Sequence, residues 1–159
     1  MLEVPAIRLA APRDAHAIAA LSRDAIEHGL GWRYTPDRIL AALQGRSTNV
    51  AVIQSRGCVL AAGIMEYGDE SAHLVLLGVQ RSHRRQGLGR RLLAWLEACA
   101  VTAGLRVVRV EVRDDNPNAL AFYEAQGFRV TGRVPGYYEG VLDAVRLVKR
   151  LGVDASAPG

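Results

Sequence analysis

Apolar and polar positions along the chain alternate between two periods. Asn49–Ser55, Cys58–Glu66 and Ala72–Val79 are short runs of strand-forming residues bounded by turn residues, so each reads as a β-strand. Arg56-Gly57 predicts a hairpin between the first two, and Tyr67-Gly68-Asp69-Glu70 predicts the turn into the third. Pro12–His28 follows the helical period instead. It sets Ala15, Ile18, Ala19, Ser22, Ala25 and Ile26 on one face and stops at Gly29. Thr35-Pro36 opens a second helix, Thr35 as N-cap and Pro36 in the first turn, and Gly45 closes it. From Gly87 a third helix carries Leu88, Leu92, Leu96 and Cys99 in one stripe to about Ala103, with Gly104 at its C-terminus.

Ala6–Ala10 is a short leading strand. Leu105–Arg113 alternates, with Val108, Val110 and Val112 on one face and Arg109, Glu111 and Arg113 on the other. Asn116-Pro117 starts a fourth helix that Gly127 ends. Phe128–Arg133 and Asp143–Arg150 are the final strands, joined by Pro135–Val141. The order of elements predicts an α/β domain with a mixed sheet.

With 159 residues, the chain fits one domain over residues 1–151, and the small, polar segment Gly152–Gly159 is expected to fray. No apolar run approaches the roughly 18 residues of a membrane helix, and no basic start leads into an apolar segment as in a signal peptide. Cys58 and Cys99 are not in metal-like spacing, and His16, His28, His73 and His83 form no ligand pair. No metal is expected, and a reduced, cytoplasmic setting is.

The net charge of +4 is concentrated in one loop. Arg81, Arg84, Arg85, Arg90 and Arg91 are five of the eleven residues from 81 to 91. This loop follows the strand ending at Val79 and leads into Gly87-Leu88-Gly89 at a helix start. Unpaired N–H groups and the partial positive charge at such a start bind anions. The glycines permit close approach, and the arginines add charge-assisted contacts. A P-loop is excluded because no Lys-Ser/Thr follows the glycines. A nicotinamide-dinucleotide oxidoreductase keeps some support from Gly87-x-Gly89 and from Glu111 downstream. Against it, Leu92 occupies the third glycine position and the loop is long where the dinucleotide turn is tight. A non-catalytic, nucleic-acid-binding module is the remaining alternative, although aromatics do not interleave with the arginines.

Arg84-x-x-Gly87-x-Gly89, followed by Leu92-Leu93, Val110–Phe128 (VEVRDDNPNALAFYEAQGF) and Gly136–Gly140 (GYYEG), resembles the GNAT acyltransferases in order and spacing. The last two thirds are most similar to the RimI-type N-terminal protein acetyltransferases. The resemblance implies the GNAT fold, a mixed, mostly antiparallel sheet of about seven strands with about four helices. It implies acetyl-CoA as cosubstrate and an amine acceptor, either a peptide N-terminus or a small molecule. A non-catalytic CoA-binding module is the alternative beside it. No nucleic-acid, membrane or metal partner is expected, and the chain is expected to be a monomer or a homodimer. In the family the loop, here Arg84, Arg85, Gln86, Gly87, Leu88, Gly89 and Arg90, holds the pyrophosphate. Leu77, Gly78 and Val79 pair their backbone with pantetheine, and Asn116 touches it too. Asn116 also suits a helix N-cap.

Acetyl transfer needs a neutral amine. At neutral pH, deprotonation costs a lysine roughly 4 kcal/mol and an α-amino group about 1 kcal/mol. By resemblance Glu111 is the general base, directly or through water, and Tyr123 is the acid for the leaving thiolate. On pattern alone Glu111 reads first as part of a polar sheet face paired with an arginine, which the resemblance reverses, and Tyr123 also suits the core. His73, on the face of Val75, Leu77 and Val79, reads as a core histidine. Tyr137 and Tyr138, and Trp32 and Tyr34, are candidate acceptor walls. The resemblance thins around EHGLGWRYTPDRI and between Tyr138 and Asp143, so it leaves the acceptor open.

Overall fold

The structure is a computed structural model that describes residues 4–25, 31 and 33–152. Trp32, the expected helix end at Ile26–Gly29 and residues 153–159 lie outside the described residues.

The chain opens with β1 (Ala6–Leu9), a 3-10 turn at Pro12–Asp14 and α1 (Ala15–Ala25). One α-helix from Pro12 was expected, and the first turn is tighter than that. The Asp14 carboxylate accepts from Ala11 N at 2.7 Å and from both Arg8 terminal nitrogens at 2.7 and 3.0 Å, which winds the entry back toward β1. α2 (Pro36–Leu43) starts as its cap requires, with Thr35 Oγ1 accepting from Arg38 N at 3.4 Å.

β2 (Thr48–Ser55) and β3 (Cys58–Tyr67) form the expected hairpin. Arg56 and Gly57 both take positive φ, 52° and 77°, as a two-residue turn matched to strand twist demands. β4 (Ala72–Val79), α3 (Leu88–Thr102), β5 (Val107–Arg113) and α4 (Pro117–Ala125) follow. β5 begins two residues later than expected, because Leu105 N is still closing the end of α3 on Ala100 O at 2.9 Å.

The chain ends with β6 (Arg129–Tyr138) and β7 (Leu142–Arg150). The expected connection Pro135–Val141 is mostly strand, and the turn is only residues 139–141. Pro135 is tolerated there because β6 is an edge strand, where a missing N–H costs no ladder bond. The pairing shifts register between Val134 and Tyr138 to pass it.

The seven strands run in the order β1-β2-β3-β4-β5-β7-β6. β4 and β5 are parallel over Ala72–Val108, His73–Arg109 and Leu74–Val110. The β1–β2, β2–β3, β5–β7 and β6–β7 ladders are antiparallel. Among the described residues no helix is long and apolar enough to cross a membrane.

The chain divides into two compact units, Met1–Glu66 with Val75–Leu96, and Tyr67–Leu74 with Glu97–Gly159. In the first, Ile18, Ala19, Ile39, Val52, Ile64 and Leu76 form one apolar cluster drawn from two helices and three strands. In the second, Val108, Val110 and Val112 are buried, as are Phe128, Val145 and Leu147. The alternation of β5 therefore presents Arg109, Glu111 and Arg113 on its opposite face.

Candidate active site

The cationic loop belongs to the first unit. Gln80 anchors its base on β3, donating its backbone N–H to Leu60 O and its side-chain amide to Val59 O, both at 2.8 Å. His83 N then turns back to Gln80 O at 2.9 Å. Arg84 is extended, and Arg85 and Gly87 take positive φ of 64° and 79°. Two left-handed residues so close together reverse the chain sharply, and Gly87 does so without a Cβ penalty. Arg91 N reaches Gly87 O at 3.0 Å, so helical bonding begins there. The N–H groups of Leu88, Gly89 and Arg90 then lie at an open helix start.

Leu88 is buried and pins the helix start to the core, while Arg84, Arg85, Gln86 and Arg90 stay exposed. A Cβ built on Gly87 would find nothing within 4 Å, so the approach to these N–H groups is open. The residues present therefore suit a pyrophosphate. Arg84 Nε also donates to Val79 O at 3.4 Å. Arg91, counted with the basic cluster from sequence, is turned elsewhere and donates to Pro5 O at 2.9 Å. Leu77, Gly78 and Val79 continue β4 beyond Leu74, where the ladder with β5 ends. Tyr34, also in this unit, is half-buried against the core cluster with the Arg38 guanidinium 5.0 Å from its ring centre.

The acid–base candidates gather in the second unit. The Glu111 side chain is only 3% exposed. Its Oε1 lies 2.5 Å from His73 Nε2 and accepts from the Tyr137 hydroxyl at 3.4 Å. Its Oε2 accepts from Arg146 Nε at 3.1 Å, with Arg109 Nη1 at 3.7 Å. Burial alone would push this carboxyl up. The hydrogen bond and charge of His73, with Arg146 and Arg109, outweigh burial and hold it down to about 2. Both sequence readings of Glu111 thus meet in one residue: it pairs with arginines, and it sits among the site candidates.

Tyr138 donates to the Glu111 main-chain oxygen at 3.3 Å and packs edge-on against Tyr137. Tyr123 is buried between Phe122 and Phe128, with ring centres 5.1 and 5.3 Å away. Burial, with Tyr138 nearby, pushes its phenol well above the usual range and keeps it protonated. Asn116 is the N-cap of α4, its Oδ1 accepting from Ala119 N at 3.1 Å.

Sequence reasoning misplaced His73. It is not a core histidine but the partner of Glu111, with a side chain 18% exposed. The signal was available. β4–α3–β5 is a strand–helix–strand unit, which pairs its strands in parallel. That puts His73 beside Arg109 and on the polar face of β5.

Residues 15–128 match the Acetyltransferase (GNAT) family. Among curated proteins, the chain is 33% identical over 102 residues to an uncharacterized N-acetyltransferase of Methanocaldococcus jannaschii, a match spanning 64% of each chain. It is 32% identical over 122 residues to the ribosomal protein bS18-alanine N-acetyltransferase of Escherichia coli (strain K12), covering 74% of this chain and 80% of that one. Among solved structures it is similar to Ard1 from Thermoplasma volcanium, with a TM-score of 0.83 and 25% identity over 92% of this chain and 97% of that one. An acetyltransferase from Salmonella typhimurium, solved with its cofactor acetyl-CoA, shares the fold at a TM-score of 0.79 and 24% identity over 99% of each chain.

Proposed function

The chain belongs to the GNAT acetyltransferase family, and on that premise we propose that it moves an acetyl group from acetyl-CoA directly to a primary amine. The observation that carries this is the loop from Arg84 to Arg90. It leads into an open helix start, with a left-handed Gly87 and free space in front of it. That is a seat for the pyrophosphate of acetyl-CoA, and Leu77, Gly78 and Val79 offer backbone to its pantetheine. Asn116 keeps its cap and has a side-chain amide left to offer.

Glu111 and Tyr123 divide the proton traffic. The thioester supplies an already activated acyl group, so the reaction needs no metal. Glu111 serves the base role through an intermediary. A proton passed straight from an α-ammonium, pKa about 7.7–8.0, to a carboxyl held near 2 would climb about 8 kcal/mol. Tyr123, kept protonated by burial, supplies the hydrogen bond that the departing thiolate requires. Tyr137 and Tyr138 stand beside Glu111 and line the acceptor end.

The acceptor is a protein N-terminus or a small amine. The E. coli relative is named for an alanine of ribosomal protein bS18, so N-terminal peptides come first, and a cytoplasmic setting suits them. The test is CoA release from acetyl-CoA in the presence of N-terminal peptides, lysine peptides and small amines. Release with at least one class is expected. Tight binding of a nicotinamide dinucleotide, with no CoA release for any amine, would overturn the reading.

A further inference from the structure

One face of the second unit carries far more positive than negative charge. On β7, Lys149 turns to Glu97 of α3 at 3.0 Å, on the side of the buried Val145 and Leu147. Arg146, Val148 and Arg150 therefore point the other way. Residues directly opposite on neighbouring strands share a face. Arg109 of β5 and Arg129 of β6 both lie opposite Val148, so they join Arg146 and Arg150 on this outer side. The carboxylate that β5 adds to it is Glu111, opposite Arg146. Arg146 and Arg109 reach that carboxylate, yet their side chains stay 44% and 41% exposed. Arg129 and Arg150 are exposed, with no acidic partner among the described residues. The nearby acids are engaged elsewhere: Asp115 by Arg113, Asp114 by Arg133 and Asp143 by Gly136 N. Four guanidiniums thus stand against one carboxylate, and His73 adds no negative charge in either of its states. The space in front is open, since a Cβ on Gly132, opposite Arg146, would meet nothing within 4 Å.

We infer that the acceptor is a peptide N-terminus followed by acidic residues, and that Arg109, Arg146, Arg129 and Arg150 hold those carboxylates. This rests on the acetyl-transfer reading above and names the acceptor class that reading leaves open. The patch starts beside Glu111 and runs away from it. Arg146 and Arg150 are four residues apart on one strand, about 13 Å, and β5 and β6 are two strand spacings apart, about 10 Å. One carboxylate on a small amine satisfies only a corner of such a patch. Four extended residues, at about 3.3 Å each, cross it. An acceptor that arrives as an ammonium, with no other charge, is repelled by this face. Carboxylates on the residues that follow offset the repulsion and pair with the guanidiniums, two oxygens to two N–H groups. A nucleic-acid backbone matches the charge but not the composition, because no aromatic side chain stands among these arginines in the ladders to stack a base.

CoA release tests this with peptides that share their first residue and carry acidic, neutral or basic residues at the next four positions. The expected kcat/KM is about tenfold or more higher for the acidic than for the basic peptide, chiefly through KM. The preference should shrink as salt rises, because salt screens exposed charges. The double substitution Arg129→Glu with Arg150→Glu should erase or reverse it. A wild type that acetylates the neutral or basic peptide as well as the acidic one overturns the inference and leaves acetyl transfer standing. So does a double variant that keeps the wild-type preference, and so does a small amine with a single carboxylate that outperforms the acidic peptide. Single-stranded RNA that binds the wild type and not the double variant, with no preference among the peptides, assigns the face to nucleic acid and overturns the inference too. A wild type that releases no CoA with any amine overturns both this and the acetyl-transfer reading.

Discussion

Replacing Glu111 by Gln should cost stability in a way that depends on pH. The Glu111 carboxyl falls from 4.5 to about 2 on folding. That difference of roughly 2.5 units corresponds to about 3 kcal/mol of preference for the ionised form. The side chain is 3% exposed, so solvent screens the interaction little. The folded-state value lies below the unfolded one. The contribution is therefore fully present above about pH 4.5 and drains away as pH falls toward 2, because the unfolded chain takes up the proton first. By pH 3 about 2 kcal/mol of it should be gone. Urea unfolding of wild type and Glu111→Gln at pH 7, 4.5 and 3 reads the effect. The wild type should lead by up to about 3 kcal/mol at pH 7, and the gap should close on acidification. Asp14, also lowered by its hydrogen bond from Arg8, is common to both proteins and cancels. A gap that stays constant from pH 7 to pH 3 would refute the reasoning, since a lost packing contact has no such pH dependence.

Gly87→Val should weaken acetyl-CoA binding at least tenfold by calorimetry. A β-branched residue at φ 79° carries roughly 1–3 kcal/mol of backbone strain and fills the open approach to the helix start; wild-type affinity would argue against the pyrophosphate seat. Tyr123→Phe keeps the ring contacts and removes the hydroxyl, so kcat should fall while the acetyl-CoA KM and the melting temperature hold; an unchanged kcat removes Tyr123 as acid. Asn116→Ala should lower stability by about 1 kcal/mol through loss of the α4 cap, and thermal unfolding at unchanged Tm would show the cap to be dispensable.

The elements closed by local chemistry were legible from sequence. Arg56-Gly57, Thr35-Pro36, Asn116-Pro117 and Gly104 act within a few residues of themselves, and each ends or starts an element where expected. Boundaries set by distant partners were not. The 3-10 entry at Pro12–Asp14 depends on Arg8 from a separate strand, and the reach of β6 past Pro135 depends on its place at the sheet edge. The same division holds for the site. The loop from Arg84 to Gly89 is contiguous and could be read directly. Glu111 meets His73 across 38 residues and Arg146 across 35, and no local period encodes those distances. Arg91 looked like its neighbours in the basic run, yet it answers a carbonyl at Pro5.

The two compact units are not consecutive stretches of chain. The first uses residues before 67 and again from 75 to 96, and the second uses 67–74 and then everything from 97 onward. β4 gives Ala72–Leu74 to one and Val75–Val79 to the other, and α3 is divided between Leu96 and Glu97. No single cut can therefore release either unit whole. A fragment beginning at Glu97 keeps Glu111, Tyr123 and Arg146 but loses His73, and a fragment ending at Leu96 keeps the cationic loop but carries Tyr67–Leu74 without its partners. Exchanging either unit as a whole between two relatives therefore requires three crossover points, after residues 66, 74 and 96.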